Sequence, residues 1–195
     1  MRTAWGYDVE SLAPLLSVED FNTMTDSAYA GNDRLEAALT AASQAIRNYC
    51  GWHISPSMEC KAYPIGGGKL AKLPASYVSE ILSVKECGVT LTDGQFEWRH
   101  DGLMRRACFM NWTSAWDGIE VIYTAGYDMA AVPDLAEAIR AITEGVLSVS
   151  AGVTSESADG VSISYSSNAA SIAAALTAAQ KSALEIYKVV SSHAA

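Results

Sequence analysis

Three histidines, four cysteines and one glycine–lysine run are the groups in this 195-residue chain most able to carry chemistry. His100 stands beside Asp101, the pairing of a general base with a carboxylate that orients it. Gly102 follows at once, and that context reads as a solvated turn. His53 comes just after a helical stretch and His193 lies in the tail, so neither has a partner in sequence. No G-x-S-x-G nucleophile elbow is present. An unrecognised hydrolase built on His100 and Asp101 is the least favoured alternative. It requires that alanine at position 100 abolish a detectable turnover.

The run Gly66-Gly67-Gly68-Lys69 invites a phosphate-loop reading. A phosphate loop needs Ser or Thr after the lysine and lies between a strand and a helix. Here Leu70 follows and both flanks are strand-like, so the run reads as a flexible hairpin tip. Cys50, Cys60, Cys87 and Cys108 are too far apart for a CxxC metal knuckle and read as reduced, mostly buried thiols. Glu59, Cys60, Asp93, Asp101 and Asp117 have neither EF-hand nor zincin spacing. Trp112 and Trp116 in NWTSAW have the rings to stack on a base, but large aromatics more often cover a core edge. No catalytic, cofactor or metal site is expected.

The elements form an order of helix, sheet, helix. Ser17, with Asp20 three residues on, caps a short helix that docks through Phe21. A longer helix over 32–50 has an apolar stripe of Leu35, Leu39, Ala42, Ile46 and Tyr49. Asp33 and Glu36 in its first turn and Arg47 in its last match the helix dipole, and Gly51 stops it. The middle third changes to a period of two: Met58, Cys60 and Ala62 alternate with Glu59 and Lys61, and Phe96 and Trp98 with Glu97 and Arg99. Strands are expected near 57–63, 69–73, 79–87, 95–99, 102–106 and 119–125. Cys87-Gly88, Asp93-Gly94 and Asp101-Gly102 mark turns.

In the run IEVIYTAGYDMAAVPDLAEAIRAI, Ile119, Val121 and Tyr123 face one way and Gly126 ends the strand. Pro133 then opens a helix over 133–150, about 27 Å long, with a stripe of Leu135, Ala138, Ile142, Val146 and Val149. A Ser-rich segment follows, in which Val161, Ile163 and Tyr165 alternate with serines as one more strand or as an arm that pairs with a neighbouring chain's sheet edge. Thr177 and Gln180 form a capping box for a last helix with Leu184, Tyr187 and Val190 as its stripe. The expected class is α+β: a small helical bundle with an antiparallel, hairpin-rich β-sheet inserted between the two long helices. The expected parts are residues 1–52, the N-terminal helices; 53–128, the β subdomain; and 129–195, the C-terminal helices with a Ser-rich arm at 151–170.

Thirteen Lys and Arg stand against 22 Asp and Glu, for a net charge of −9. Nucleic-acid binding relies on cations that release counterions from phosphates, so bulk DNA binding is not expected. A small DNA-packaging or nucleic-acid-handling subunit is the alternative, and it would need a basic stripe that neither long helix carries. No secretory h-region or membrane span is expected, and the chain reads as soluble.

The order of features resembles the head–tail connector proteins of tailed bacteriophages, also called adaptor or head-completion proteins. The residues that carry it are Asp33-Arg34-Leu35 opening a helix, Cys50-Gly51 closing it, Leu73-Pro74 leading to Val78 and the strand Ile81–Val84, and above all VIYTAGYDMAAVPDLAEAI. The family's minimal members are close to a helical bundle, and the sheet insertion here is larger. The resemblance implies a structural virion component: a ring of copies, a dodecamer, at the head–tail interface beneath the portal protein. Such a ring extends the DNA channel, lets DNA pass without sequence-specific binding, and docks a head-closure or tail protein. It implies assembly in the cytoplasm of the bacterial host. Within that expectation, Val161, Ile163 and Tyr165 are candidate interface residues, and Asp134, Glu137 and Glu144 candidate channel-facing acids.

Overall fold

The computed structural model describes residues 6–8, 12–148, 155–158, 161–164 and 176–189. Within them the chain is mixed α+β, as the change of period predicts. It divides into two compact units: a β unit of residues 51–128 with both chain ends, and a helical unit of residues 13–50 and 129–186.

The β unit holds eight strands: β1 (Tyr7–Asp8), β2 (Met58–Ala62), β3 (Leu70–Lys72), β4 (Val78–Glu86), β5 (Val89–Thr90), β6 (Phe96–Trp98), β7 (Leu103–Arg106) and β8 (Ile119–Ala125). They form two antiparallel sheets, one ordered β1-β2-β8-β4-β5 and one ordered β3-β7-β6. β8 is the centre of the larger sheet: Tyr123 is opposite Cys60 of β2 on one side and Ile81 of β4 on the other. Every second residue of β8 from Ile119 to Ala125 is buried, which is the alternation expected of a strand with one face on a core. Two register shifts in β4, around Ser79 and Leu82, add twist to the strand at its outer edge.

Two readings of this region need correction. Gly66–Lys69 is not a hairpin tip: β2 and β3 belong to different sheets, so the run carries the chain from one to the other. It is also not loose, because a Cβ at Gly66 would lie 2.1 Å from the Thr113 carbonyl oxygen. Asp93-Gly94 likewise joins β5 to β6 across sheets, whereas Cys87-Gly88 and Asp101-Gly102 do close hairpins, β4–β5 and β6–β7.

In the helical unit, α1 (Val18–Met24) starts at Ser17, whose hydroxyl accepts the Asp20 N–H at 3.0 Å and donates to the Asp20 carboxylate at 2.6 Å. Phe21 is its buried anchor. α2 (Leu35–Cys50) begins after a turn in which Asn32 Oδ1 accepts the Arg34 N–H at 2.9 Å. α3 (Pro133–Ser148) packs along α2, and α4 (Ala178–Leu184) packs on α3. Both members of the Thr177–Gln180 capping box are formed. The stripes differ in detail from the sequence reading. On α2, Cys50 is buried where Tyr49 was expected, and Tyr49 instead reaches Glu185 with its hydroxyl at 2.8 Å. On α3, Ile139 is buried in place of Ala138, with Leu135, Ile142 and Thr143. Val149 and Val190 lie outside the described residues. Arg47 does more than complement a dipole: it is buried, and its Nη2 donates to the Ala13 carbonyl at 2.9 Å.

The same unit includes a hairpin of β9 (Ser155–Ala158) and β10 (Val161–Ser164), in which Val161 is opposite Ala158 and Ile163 opposite Glu156. Its strands pair with each other and, among the described residues, with no other sheet.

Candidate functional site

The run Tyr123-Thr124-Ala125-Gly126-Tyr127 ends β8 in a tightly specified junction. The Ala125 carbonyl faces His53 Nε2 at 3.0 Å. The Tyr7 hydroxyl accepts the His53 backbone N–H at 2.7 Å and lies 2.9 Å from His53 Nδ1. A carbonyl oxygen only accepts, so Nε2 bears a proton and donates it to Ala125. His53 thus ties the two-residue strand β1 to the end of β8, which is why so short a strand is held at all.

Gly126 is required by space as well as by conformation. Its φ is +114°, and a Cβ there would lie 2.3 Å from the Pro56 carbonyl oxygen. Tyr127 then turns into an aromatic cluster. It stacks on Tyr77 with centroids 4.8 Å apart, meets Trp52 edge-on at 5.9 Å, and meets Tyr187 edge-on at 5.6 Å. Its N–H donates to the Ile54 carbonyl at 2.8 Å, and Trp52 Nε1 donates to the Tyr187 carbonyl at 2.6 Å. Burial raises the Tyr127 hydroxyl above its ordinary pKa, with Tyr77 adding to the effect. The Tyr127 N–H and the Trp52 indole N–H are both used to hold backbone carbonyls.

The other groups with chemical potential fare the same way. His100 does not meet Asp101. Its Nδ1 bonds the Val78 carbonyl at 2.8 Å, while Asp101 accepts the Leu103 N–H at 3.1 Å and pairs with Arg99 at 3.2 Å. His193 lies outside the described residues. Cys60 is buried, and desolvation first, with Glu59 second, pushes its thiol up to about 12, far from a reactive thiolate. Cys50 is buried as expected, but Cys87 and Cys108 are exposed. Among the described residues no three His, Cys, Asp or Glu side chains are placed to hold a metal ion, and no helix is long and apolar enough to cross a membrane. The tryptophan pair splits: Trp112 is 2% exposed and Trp116 98% exposed. Only Trp112 covers core.

What remains is surface. Asp134, Glu137 and Glu144 lie on one face of α3, in register with Arg140. Arg140 bridges two of them: its Nε donates to Glu137 at 2.9 Å, its Nη2 also pairs with Glu137, and its Nη1 reaches Glu144 at 2.6 Å. The hydrogen bonds from Arg140 hold the Glu137 carboxyl below its ordinary pKa. Sequence reading placed the acids on one face but missed the cation that ties Glu137 to Glu144, although their i,i+3 and i,i+4 spacing to Arg140 carries that signal. Val161 and Ile163 lie in β10, and Tyr165 falls outside the described residues. A cleft of about 410 Å³ in the β unit is lined by Lys69, Glu97, Arg105, Arg106, Ala107 and Cys108. Arg105 pairs with Glu97 at 2.6 Å and Arg106 with Glu86 at 3.0 Å.

No family model and no curated protein matches the chain. Solved structures do. A chain from the neck of a native GTA (gene transfer agent, phage-like) particle, computed with C12 symmetry, matches with a TM-score of 0.60 at 15% identity, over 96% of this chain and 98% of its own. A chain from the neck of an empty GTA particle, computed with C6 symmetry, matches with a TM-score of 0.57 at 19% identity, over 79% of this chain and 90% of its own. The head–tail connector resemblance drawn from the sequence is supported at the level of fold: this chain is built like proteins in the necks of phage-like particles.

Proposed function

We propose that this protein is a structural component of a virion neck, a head–tail connector. Copies form a closed ring of twelve beneath a portal protein, extend its DNA channel and present a docking surface to a head-closure or tail protein. The observation that carries the reading is the correspondence of almost the whole chain with a chain in a twelvefold-symmetric neck. The chemistry agrees with it. His53 holds the Ala125 carbonyl at the junction, and His100 and Asp101 are spent on separate structural bonds.

In the ring, DNA passes without sequence-specific contact. The helical segments 13–50 and 129–186 hold four Lys and Arg against eleven Asp and Glu, so they repel a polyanion at close range. Asp134, Glu137 and Glu144 are the acids assigned to the channel side, with Arg140 moderating their charge. The hairpin β9–β10 and the residues that follow, to Tyr165, form the arm that engages a neighbouring subunit or the portal. Isolated two-stranded hairpins are marginal in water, which favours a partner for it. Assembly takes place in the host cytoplasm, and the finished protein resides at the head–tail interface.

The test is the mass and shape of the purified chain at high concentration, alone and mixed with its portal. Ring-shaped particles, or a stoichiometric complex with portal, are expected. A chain that stays monomeric and ignores portal contradicts the reading.

A further inference from the structure

We draw no further inference here: the strongest candidate, the outer edge of β4 at residues 79–83, where Leu82 is exposed and which β5 leaves open among the described residues by pairing only with Lys85 and Glu86, is a strand edge for which nothing in the structure shows what covers it.

Discussion

The Tyr127 ring lies on the Tyr77 ring with 4.8 Å between centroids and 16° between planes. This contact joins the end of β8 to the entry of β4, two points 50 residues apart in sequence that are brought together only by the sheet. Trp52 and Tyr187 close around the same ring edge-on. The stretch that looked most diagnostic in the sequence is therefore a clamp.

Truncation of this clamp should be felt in stability. Tyr127→Ala is expected to cost about 3 kcal/mol, in the range of large-to-small aromatic substitutions. Tyr127→Phe keeps the stack and should cost under about 1 kcal/mol. Urea unfolding of the two variants distinguishes them, and equal losses would show that the ring contacts are not the source.

Gly126→Ala meets both a positive φ and the Pro56 carbonyl at 2.3 Å. It should destabilise by about 2 kcal/mol or more, since the backbone itself must move. Gly68→Ala is the matched control, because nothing lies within 4 Å of a Cβ there. Similar midpoints for the two variants would refute the close approach at Gly126.

Tyr123 offers the opposite sign. It is buried at the centre of the larger sheet, and its hydroxyl has no hydrogen-bond partner among the described residues. Tyr123→Phe removes that unmet demand and should stabilise by about 1 kcal/mol, read as a higher denaturant midpoint. A clear loss of stability would reveal a partner for the hydroxyl.

Glu120 lies between Lys61 at 2.7 Å and Lys85 at 3.0 Å, and their hydrogen bonds hold its carboxyl down to about 2 from an ordinary 4.5. A carboxyl depressed in the folded state binds protons more readily when unfolded. Its contribution is therefore complete above pH 4.5 and is lost as pH falls towards 2. The site is close to solvent, so the contribution is about 0.5–1 kcal/mol. The difference in midpoint between the wild type and Glu120→Gln should be constant above pH 5 or so and shrink below it. A difference that grows on acidification would reverse the assignment.

Much of this fold is legible in the residues, and the gaps have physical causes. The alternation of Ile119, Val121 and Tyr123 and the caps at Ser17 and Thr177 are local signals, set by side-chain period and by unsatisfied N–H groups, and they read correctly. β1 escaped because two residues have no period; it exists through the distant Tyr7–His53 bond. The glycines at 66–68 were misread because a hairpin and a crossing between sheets have the same local chemistry, and only pairing tells them apart. Arg47 reads in the sequence as a cation that matches the helix dipole, but its burial depends on the carbonyl of Ala13 arriving from another segment. Trp112 and Trp116 show the same limit: four residues apart in one loop, one fills the core and the other faces solvent, and the division is made by the Gly66–Gly68 strap bonded to Trp112. The surfaces are the least legible part, since exposure is a property of the finished fold.

The measurement closest to the central claim is electron cryomicroscopy of the purified chain assembled with its portal, reconstructed without imposed symmetry. The account predicts a closed ring of twelve copies coaxial with the portal, its channel open along the axis. Monomers scattered free of the portal, or an open filament in place of a ring, would contradict it.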